Sequence, residues 1–500
     1  MKLKRYVFVV LSLFLCSAHA DDQGEIHVTL LHFNDVYEII PTGDGKEGGL
    51  ARVATLRKQL LSINPNTITL LGGDFLSPSA MGMAPVDGEP LQGKHMVDVL
   101  NGLGLDYATF GNHEFDLKER PFLQRVGEAK FTWVSSNVTN AQGALFAGQK
   151  TNVVLPIRDA NSGKVFRIGI LGLTLNSNQP SYVKISEPYA AAEKQLAILD
   201  SQSDFVVALT HQAIGDDEAL LQRFPQIDLL LGGHEHANYQ RWRGANWAPL
   251  LKADANVRSV YVVDIYANPS SKKTRIETRL VQVNDTIAEN AELRDRINDW
   301  KSRAFAAFQQ QGLKPAEVVF QARQNYDGVS SHVRTGQTNL TRLIAESMLQ
   351  AYAGEADLSV YNSGSIRIDD VLPVGDITVY DVIRVLPFGG DVRLVKMKGA
   401  LLLRVLQQGE LNVGSGGYLQ SANTAKSSAS VWQIAGQPIV ADRTYTVAMT
   451  DFLLSGREVN LDFLTLQNPE ITVADSGQGR DLRKLLIEQW KLHPPSAAEK

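Results

Sequence analysis

Cysteine is almost absent from this 500-residue chain: Cys16 is the only one. That excludes a disulfide framework or a thiolate metal site from everything after residue 20. Runs of positive charge are missing as well. The formal net charge is −5, and without the three cations of residues 1–20 it falls to −8, with 46 basic against 54 acidic residues. No basic cluster interleaved with aromatics occurs, which speaks against a nucleic-acid polymer as partner. Past the N-terminus no apolar stretch is long enough to span a bilayer. Neither an internal repeat nor a long low-complexity tract occurs, and with 44% hydrophobic residues the chain can fill two or three cores.

What is there begins with a secretory signal over residues 1–20. Lys2, Lys4 and Arg5 precede an apolar Tyr6 to Leu15, and Ala18-His19-Ala20 makes a small-residue cleavage site. The apolar run is too short for a membrane anchor, and Leu15 before Cys16 is ill suited to lipid attachment. The mature chain is therefore expected in the periplasm or outside the cell. Residues 25–285 alternate strand-like apolar runs with segments of helical period, such as Leu50 to Leu61, Gly93 to Leu103 and Asp217 to Arg223. The pattern indicates a layered α/β domain. Residues 286–312, charged and nearly free of glycine, read as a linker helix, and 313–490 as a second, mixed α/β domain.

Chemistry concentrates where apolar runs stop. Tyr107 to Phe110 leads into Gly111-Asn112-His113-Glu114-Phe115-Asp116, and Val28 to Phe33 into Asn34-Asp35. Thr67 to Leu71 leads into Gly72-Gly73-Asp74, Phe205 to Thr210 into His211, and Ile227 to Leu231 into Gly232-Gly233-His234-Glu235-His236. Any one of these is an ordinary strand-end turn. Together they place carboxylate, amide and imidazole ligands at the ends of neighbouring strands, as a dinuclear hydrolytic site requires. His32, inside a strand, reads instead as a packed core histidine. Asp116 has two readings, a partner that orients His113 or a cap for the helix-like Leu117 to Glu128.

This order of motifs resembles the calcineurin-like metallophosphoesterases, and Gly-Asn-His-Glu-Phe-Asp narrows it to the 5′-nucleotidase and UDP-sugar hydrolase branch. The resemblance covers nearly the whole mature chain. It implies an N-terminal β-sandwich flanked by helices and a C-terminal domain that binds substrate. It further implies two divalent ions, manganese, zinc or magnesium, with Asp74 as the bridge. Asp35 and His236 would serve one ion; Asn112, His211 and His234 would serve the other. Tyr37 stands where the family usually has histidine, either as a phenolate ligand or by leaving that place to water. His113, with Asp116, would assist attack by a metal-activated water.

In the second domain Asn362-Ser363-Gly364-Ser365-Ile366-Arg367 resembles the family's Asn-Gly-Gly-Gly-Ile-Arg, whose arginine contacts phosphate. By the same resemblance Tyr418 and Phe452 would sandwich a nucleobase, and Glu458 falls where the family has an aspartate. Arg334 to Leu340 reads as scaffold opening a helix, and Leu386 to Gly390 as a structural turn. The implied activity is phosphate release from small phosphate esters, foremost nucleoside 5′-monophosphates, with rotation of the second domain to deliver substrate. UDP-sugars, 2′,3′-cyclic nucleotides and sugar phosphates are alternatives, and a catalytically degenerate nucleotide-binding protein is the non-enzymatic one.

Overall fold

The computed structural model describes residues 25–159, 163–475 and 478–495. The expected signal segment lies outside the described residues. Two sheets form the N-terminal part. The first has seven strands in the order Lys273–Gln282, Ser259–Asn268, Ile26–Phe33, Thr67–Leu71, Tyr107–Ala108, Thr132–Val134 and Gln149–Lys150. The second has six, in the order Tyr239–Arg243, Ala248–Lys252, Leu229–Gly233, Phe205–His211, Val165–Thr174 and Asn152–Arg158.

Alternation of side chains along each strand builds a sandwich from these sheets. Val28, Leu30, Ile68 and Leu70 of the first sheet meet Ile168, Ile170, Val207, Leu209, Leu229 and Leu231 of the second in one buried cluster. The intervening residues face outwards into other layers. Leu31, Phe33 and Leu71 pack with the helices Leu50–Ile63 and Lys94–Leu103. Leu171, Leu173, Val206, Ala208 and Leu230 pack with Pro188–Leu199 and Ile214–Arg223. Strands buried on both faces explain the continuous apolar runs.

The central strands of both sheets are parallel, with Phe33 beside Leu71, Leu71 beside Ala108, and His211 beside Gly233. Parallel neighbours end on the same side, so every ligand-bearing turn emerges along one edge of the sandwich. The strand expected over Tyr107 to Phe110 stops at Ala108. Phe110 is already part of the turn into Asn112, its ring stacked 4.4 Å from that of Trp133.

The helix Ala291–Gln310 connects the two parts and is no free tether. Its Trp300 indole donates to Asp98 Oδ2 at 2.8 Å, and its Phe305 ring lies 5.1 Å from that of Tyr380. The C-terminal part carries a mixed sheet with Leu419–Ala422, Leu358–Asn362, Thr444–Thr450, Asp391–Lys398 and Ile471–Val473 in that order. The helix Gly399–Leu411 packs with this sheet through Leu401, Leu402 and Val405. The helix Asn339–Gln350 carries Leu340, Ile344 and Met348 into the cluster shared with the linker helix.

Leu30→Ala opens a hole between the two sheets and should destabilise the protein by about 2–5 kcal/mol in urea unfolding. Ile63→Ala, at a residue 78% exposed, should stay within about 0.5 kcal/mol of the parent.

Candidate active site

Backbone geometry singles out the ligand turns. Asp35 (φ 53°), Asp74 (57°), His234 (96°) and His236 (58°) all have left-handed conformations that residues with a Cβ rarely adopt. Each costs on the order of 1 kcal/mol or more and persists because neighbours enforce it. Asp35 N donates to Gly73 O at 3.0 Å and Val36 N to Asp74 O at 2.9 Å, lacing the first two turns together. Glycine is required where these turns touch. A Cβ on Gly111 would sit 2.1 Å from Asp74 Oδ1, and one on Gly233 would meet Gly72 O at 2.5 Å.

Glu114 clamps the Asp74 turn. Its buried carboxylate accepts from the backbone N–H of Gly111 (2.6 Å), Asp74 (2.9 Å), Phe75 (2.7 Å) and Leu76 (3.1 Å). Burial, together with the charge of Asp74, pushes its carboxyl up to about 7. Lys252 plays a matching part under the His234–His236 turn. Its ammonium, 1% exposed, pairs with Asp217 at 2.8 Å and Glu235 at 2.5 Å and donates to Gln212 O at 2.6 Å.

Asp35, Asp74 and His211 bring ligand atoms within 4.8 Å of one another in the interior. His211 Nδ1 donates to Gly72 O at 2.7 Å, and its Nε2 faces Asp74 Oδ2, 3.1 Å away. The His234 ring lies 5.3 Å from that of His211. His236 Nε2 is 3.3 Å from Asp35 Oδ1. The Tyr37 hydroxyl lies 3.2 Å from Asp74 Oδ2, 3.4 Å from Asp35 Oδ1 and 3.0 Å from His236 Nε2. Asn112 Oδ1 is buried without any hydrogen-bond partner.

Burial would raise the Asp35 carboxyl, but His236 and His211 outweigh it and hold it well below the carboxylate range. Burial would lower His211, yet Asp74 and Asp35 lift it to about 9. His234, buried and beside His211, falls to about 4. Burial also takes His32 down to about 4, and its Nε2 bonds Gly232 O at 3.0 Å, as a core histidine's would. Two carboxylates thus face several imidazoles, an orphaned amide oxygen and a phenol. Mixed oxygen and nitrogen donors of this kind fit divalent ions such as manganese, zinc or magnesium.

His113 keeps 21% of its side chain open, which turns it to the cavity rather than the core, and its Nδ1 lies 2.7 Å from Asp116 Oδ2. Burial would lower its pKa, but Asp74 and Asp116 raise it above the ordinary value. Asp116 is held in turn by Ser77 Oγ at 3.2 Å and Asn178 Nδ2 at 2.8 Å. It does not cap the following helix, which begins at Glu119 with Lys118 before it.

The turns open onto a cavity of about 810 Å³ whose far wall belongs to the second domain. Tyr37, Asp74, His113 and His234 face Arg334 and Arg367 across it. Arg334 is a correction to the scaffold reading: the segment does open the helix Asn339–Gln350, capped by Thr338, but the guanidinium belongs to the cavity wall. Burial, then the neighbouring Arg367, lowers its pKa, and Nε of each arginine is buried without a partner. Arg367 lies over the Phe388 ring, 5.3 Å from its centroid, and Phe388 is 46% exposed. The Leu386–Gly390 turn therefore presents a ring to solvent rather than acting only as a turn.

Asn362 Nδ2 donates to Glu458 Oε2 at 2.7 Å, joining two of the residues expected to bind substrate. Phe452 is exposed beneath Arg457, whose guanidinium carbon is 5.3 Å from the ring centroid. Tyr418 is half-buried, its carbonyl bonded to Ser363 N at 2.8 Å. Among the described residues Tyr418 and Phe452 make no ring contact with each other. Sequence reasoning missed Arg334, Lys252, the clamp by Glu114 and, from the second domain, Asp369. The one available signal was a charged residue abutting an apolar run, as in Leu250-Leu251-Lys252.

The family model for the calcineurin-like phosphoesterase matches residues 28–238, and that for the 5′-nucleotidase C-terminal domain matches 318–465. The 5′-nucleotidase of Vibrio cholerae is 26% identical over 90% of this chain and 89% of its own length. A snake venom 5′-nucleotidase from Gloydius brevicauda is 24% identical over 82% of this chain and 74% of its own length. In three dimensions the chain resembles a 5′-nucleotidase precursor from Thermus thermophilus, with a TM-score of 0.72 at 22% identity over 93% and 96% of the two chains. With both domains matched in order, the chain belongs to the 5′-nucleotidase family of metal-dependent phosphoric ester hydrolases, in which a calcineurin-like phosphoesterase domain precedes a 5′-nucleotidase C-terminal domain.

Proposed function

We propose that this enzyme is an exported phosphohydrolase that uses two divalent ions to release phosphate from nucleoside 5′-monophosphates. One observation carries the reading: a single cavity is lined by Asp74, His234 and His236, by His113 and by two arginines from the second domain, with Asp35 and His211 beside Asp74 in the interior. Names borne by relatives, such as 5′-nucleotidase in Vibrio cholerae, support the choice of substrate. The signal-like residues 1–20 support export. We take residues 25–285 as the metal-bearing unit, 286–312 as the linker and 313–490 as the substrate-binding unit.

Asp74 would bridge the ions, with Asp35 and His236 completing one site and Asn112, His211 and His234 the other. Tyr37 is placed to hold the first site's environment whether or not its oxygen ligates. When bound, the two ions supply Lewis acidity and lower the pKa of a water to be used as nucleophile. Everything else falls to side chains. Arg334 and Arg367 would grip phosphate oxygens with guanidinium donors that have few competing acceptors. His113, its pKa raised by Asp74 and Asp116, would stabilise charge on the phosphoryl group or protonate the leaving oxygen. Asp116 fixes the ring so that Nε2 points outwards. Phe452 and Phe388 are the exposed rings available for stacking, which would tolerate several bases. Tyr418 would join Phe452 in holding a nucleobase, and Asn362 with Glu458 would fix the loop beside Arg367.

The deciding test is phosphate release by metal-stripped protein given manganese, zinc or magnesium. AMP, UDP-glucose, a 2′,3′-cyclic nucleotide, a sugar phosphate and an aryl phosphate would be compared. Preference for AMP is expected, and turnover of the sugar phosphate alone would remove the nucleotidase reading. His113→Ala should lower kcat by about 10²–10⁴-fold while metal content stays at the parental level. Arg334→Ala should cost at least about tenfold in kcat/KM, as a lost charge-assisted hydrogen bond does. An unchanged kcat/KM would return Arg334 to the scaffold.

A further inference from the structure

The two halves of the metal cluster differ in how they meet the second domain. The turn that carries Asp35 and Tyr37 continues into Glu38, whose buried carboxylate accepts from Tyr380 Oη at 2.8 Å and lies 3.7 Å from Arg384 Nε. The turn that ends in His236 is gripped through the ring itself. Its Nδ1 contacts the carboxylate of Asp369, while Nε2 faces Asp35 and Tyr37. The next residue, Asp370, pairs with Arg258 at 2.7 Å, and Arg258 reaches back to the His236 carbonyl. Asn112, His211 and His234 have their side-chain and backbone hydrogen bonds within the N-terminal part, to Asn178, Gly72 and Asp35.

Asp369 is built for this contact. It holds a left-handed backbone (φ 41°), and Ser330 N donates to its Oδ1. The other oxygen is thereby left to the imidazole. A carboxylate on one nitrogen of a histidine fixes the ring and its tautomer and makes the opposite nitrogen a better metal donor. Here the carboxylate and the imidazole come from different domains.

We propose that Asp369 is a positioning residue for His236, so that the Asp35–Tyr37–His236 half of the centre binds its ion most tightly when the two domains are apposed as in this structure. The inference rests on the two-ion reading above. Linkage makes the effect reciprocal: an ion in that half favours apposition by the factor through which apposition raises its affinity. The Asn112–His211–His234 half carries no such coupling. Metal occupancy and domain arrangement are thereby joined through one contact.

The test is calorimetric titration of the metal-stripped full-length protein with manganese(II), alongside small-angle X-ray scattering at each stage. The parent should bind two ions with separable affinities, and its scattering should change with the filling of only one. Asp369→Asn should weaken that ion about ten- to hundredfold, leave the other within about threefold, and abolish the scattering change. Asp369→Glu should restore part of the affinity, which a loss of general stability would not allow. Equal weakening of both ions, or unchanged affinity for both, would overturn the inference while two ions and phosphate release preserve the reading beneath it. A parent that binds fewer than two ions would overturn both. Should the variants fold poorly, the parent's titration still decides, because scattering indifferent to manganese(II) contradicts the coupling.

Discussion

Asp35 and Asp74 bring two carboxylates within a few ångströms of each other where water is nearly excluded, and much of the chain is arranged around that fact. At an effective dielectric near 20, unit charges about 5 Å apart repel by roughly 3 kcal/mol, before any desolvation penalty is added. The protein answers with directed hydrogen bonds and cations. His113 N donates to Asp74 Oδ1 at 2.7 Å, and His234 N donates to Asp35 Oδ2 at 2.9 Å. His211 and His236 face the carboxylates with imidazole nitrogens at 3.1 and 3.3 Å. Divalent ions would relieve the same repulsion more fully, which is why a site costly for folding is suited to binding metal.

The clamps around the cluster follow from the same constraint. A turn that exposes a carboxylate to its neighbour needs its own backbone donors satisfied elsewhere, because buried N–H groups left unpaired are costly. Glu114 takes up four of them and so removes the need for water inside the turn. Lys252 pairs with both Asp217 and Glu235 beneath the second histidine turn, offsetting part of the negative charge that would otherwise add to the centre's. These supports hold four left-handed residues in place.

How much of this was legible depends on what brings residues together. The ligand types were visible because parallel strands end on one side, so short motifs far apart in sequence share a destination. Asp74 and His211 needed no knowledge of tertiary contacts. Arg334 and Asp369 did. Arg334 follows a short polar stretch and Asp369 stands two residues past the Arg367 motif, and only the apposition of the domains gives either a role. The helix expected over 117–128 starts two residues late because Asp116 is engaged by His113, Ser77 and Asn178. The strand expected to reach Phe110 ends early because that segment must bend to bring Gly111 against Asp74. In both cases a contact with the site overrode local preference.

The division of labour between the domains has an electrostatic logic. Held in the first domain, the arginines would neutralise Asp35 and Asp74 directly and compete with metal ions for them. Held in the second, across a cavity of about 810 Å³, Arg334 and Arg367 face the centre without pairing to it. Burial, and after it the charge of Arg367 alongside, lowers the pKa of Arg334. In the proposed function, a phosphate dianion entering between them and a metal-loaded centre would relieve repulsion on both sides at once. On the proposed reading, binding would be strongest for a ligand that carries concentrated negative charge at one end. Under the proposed function such a site would select phosphate by charge, with metal ligands from one domain and guanidinium groups from the other.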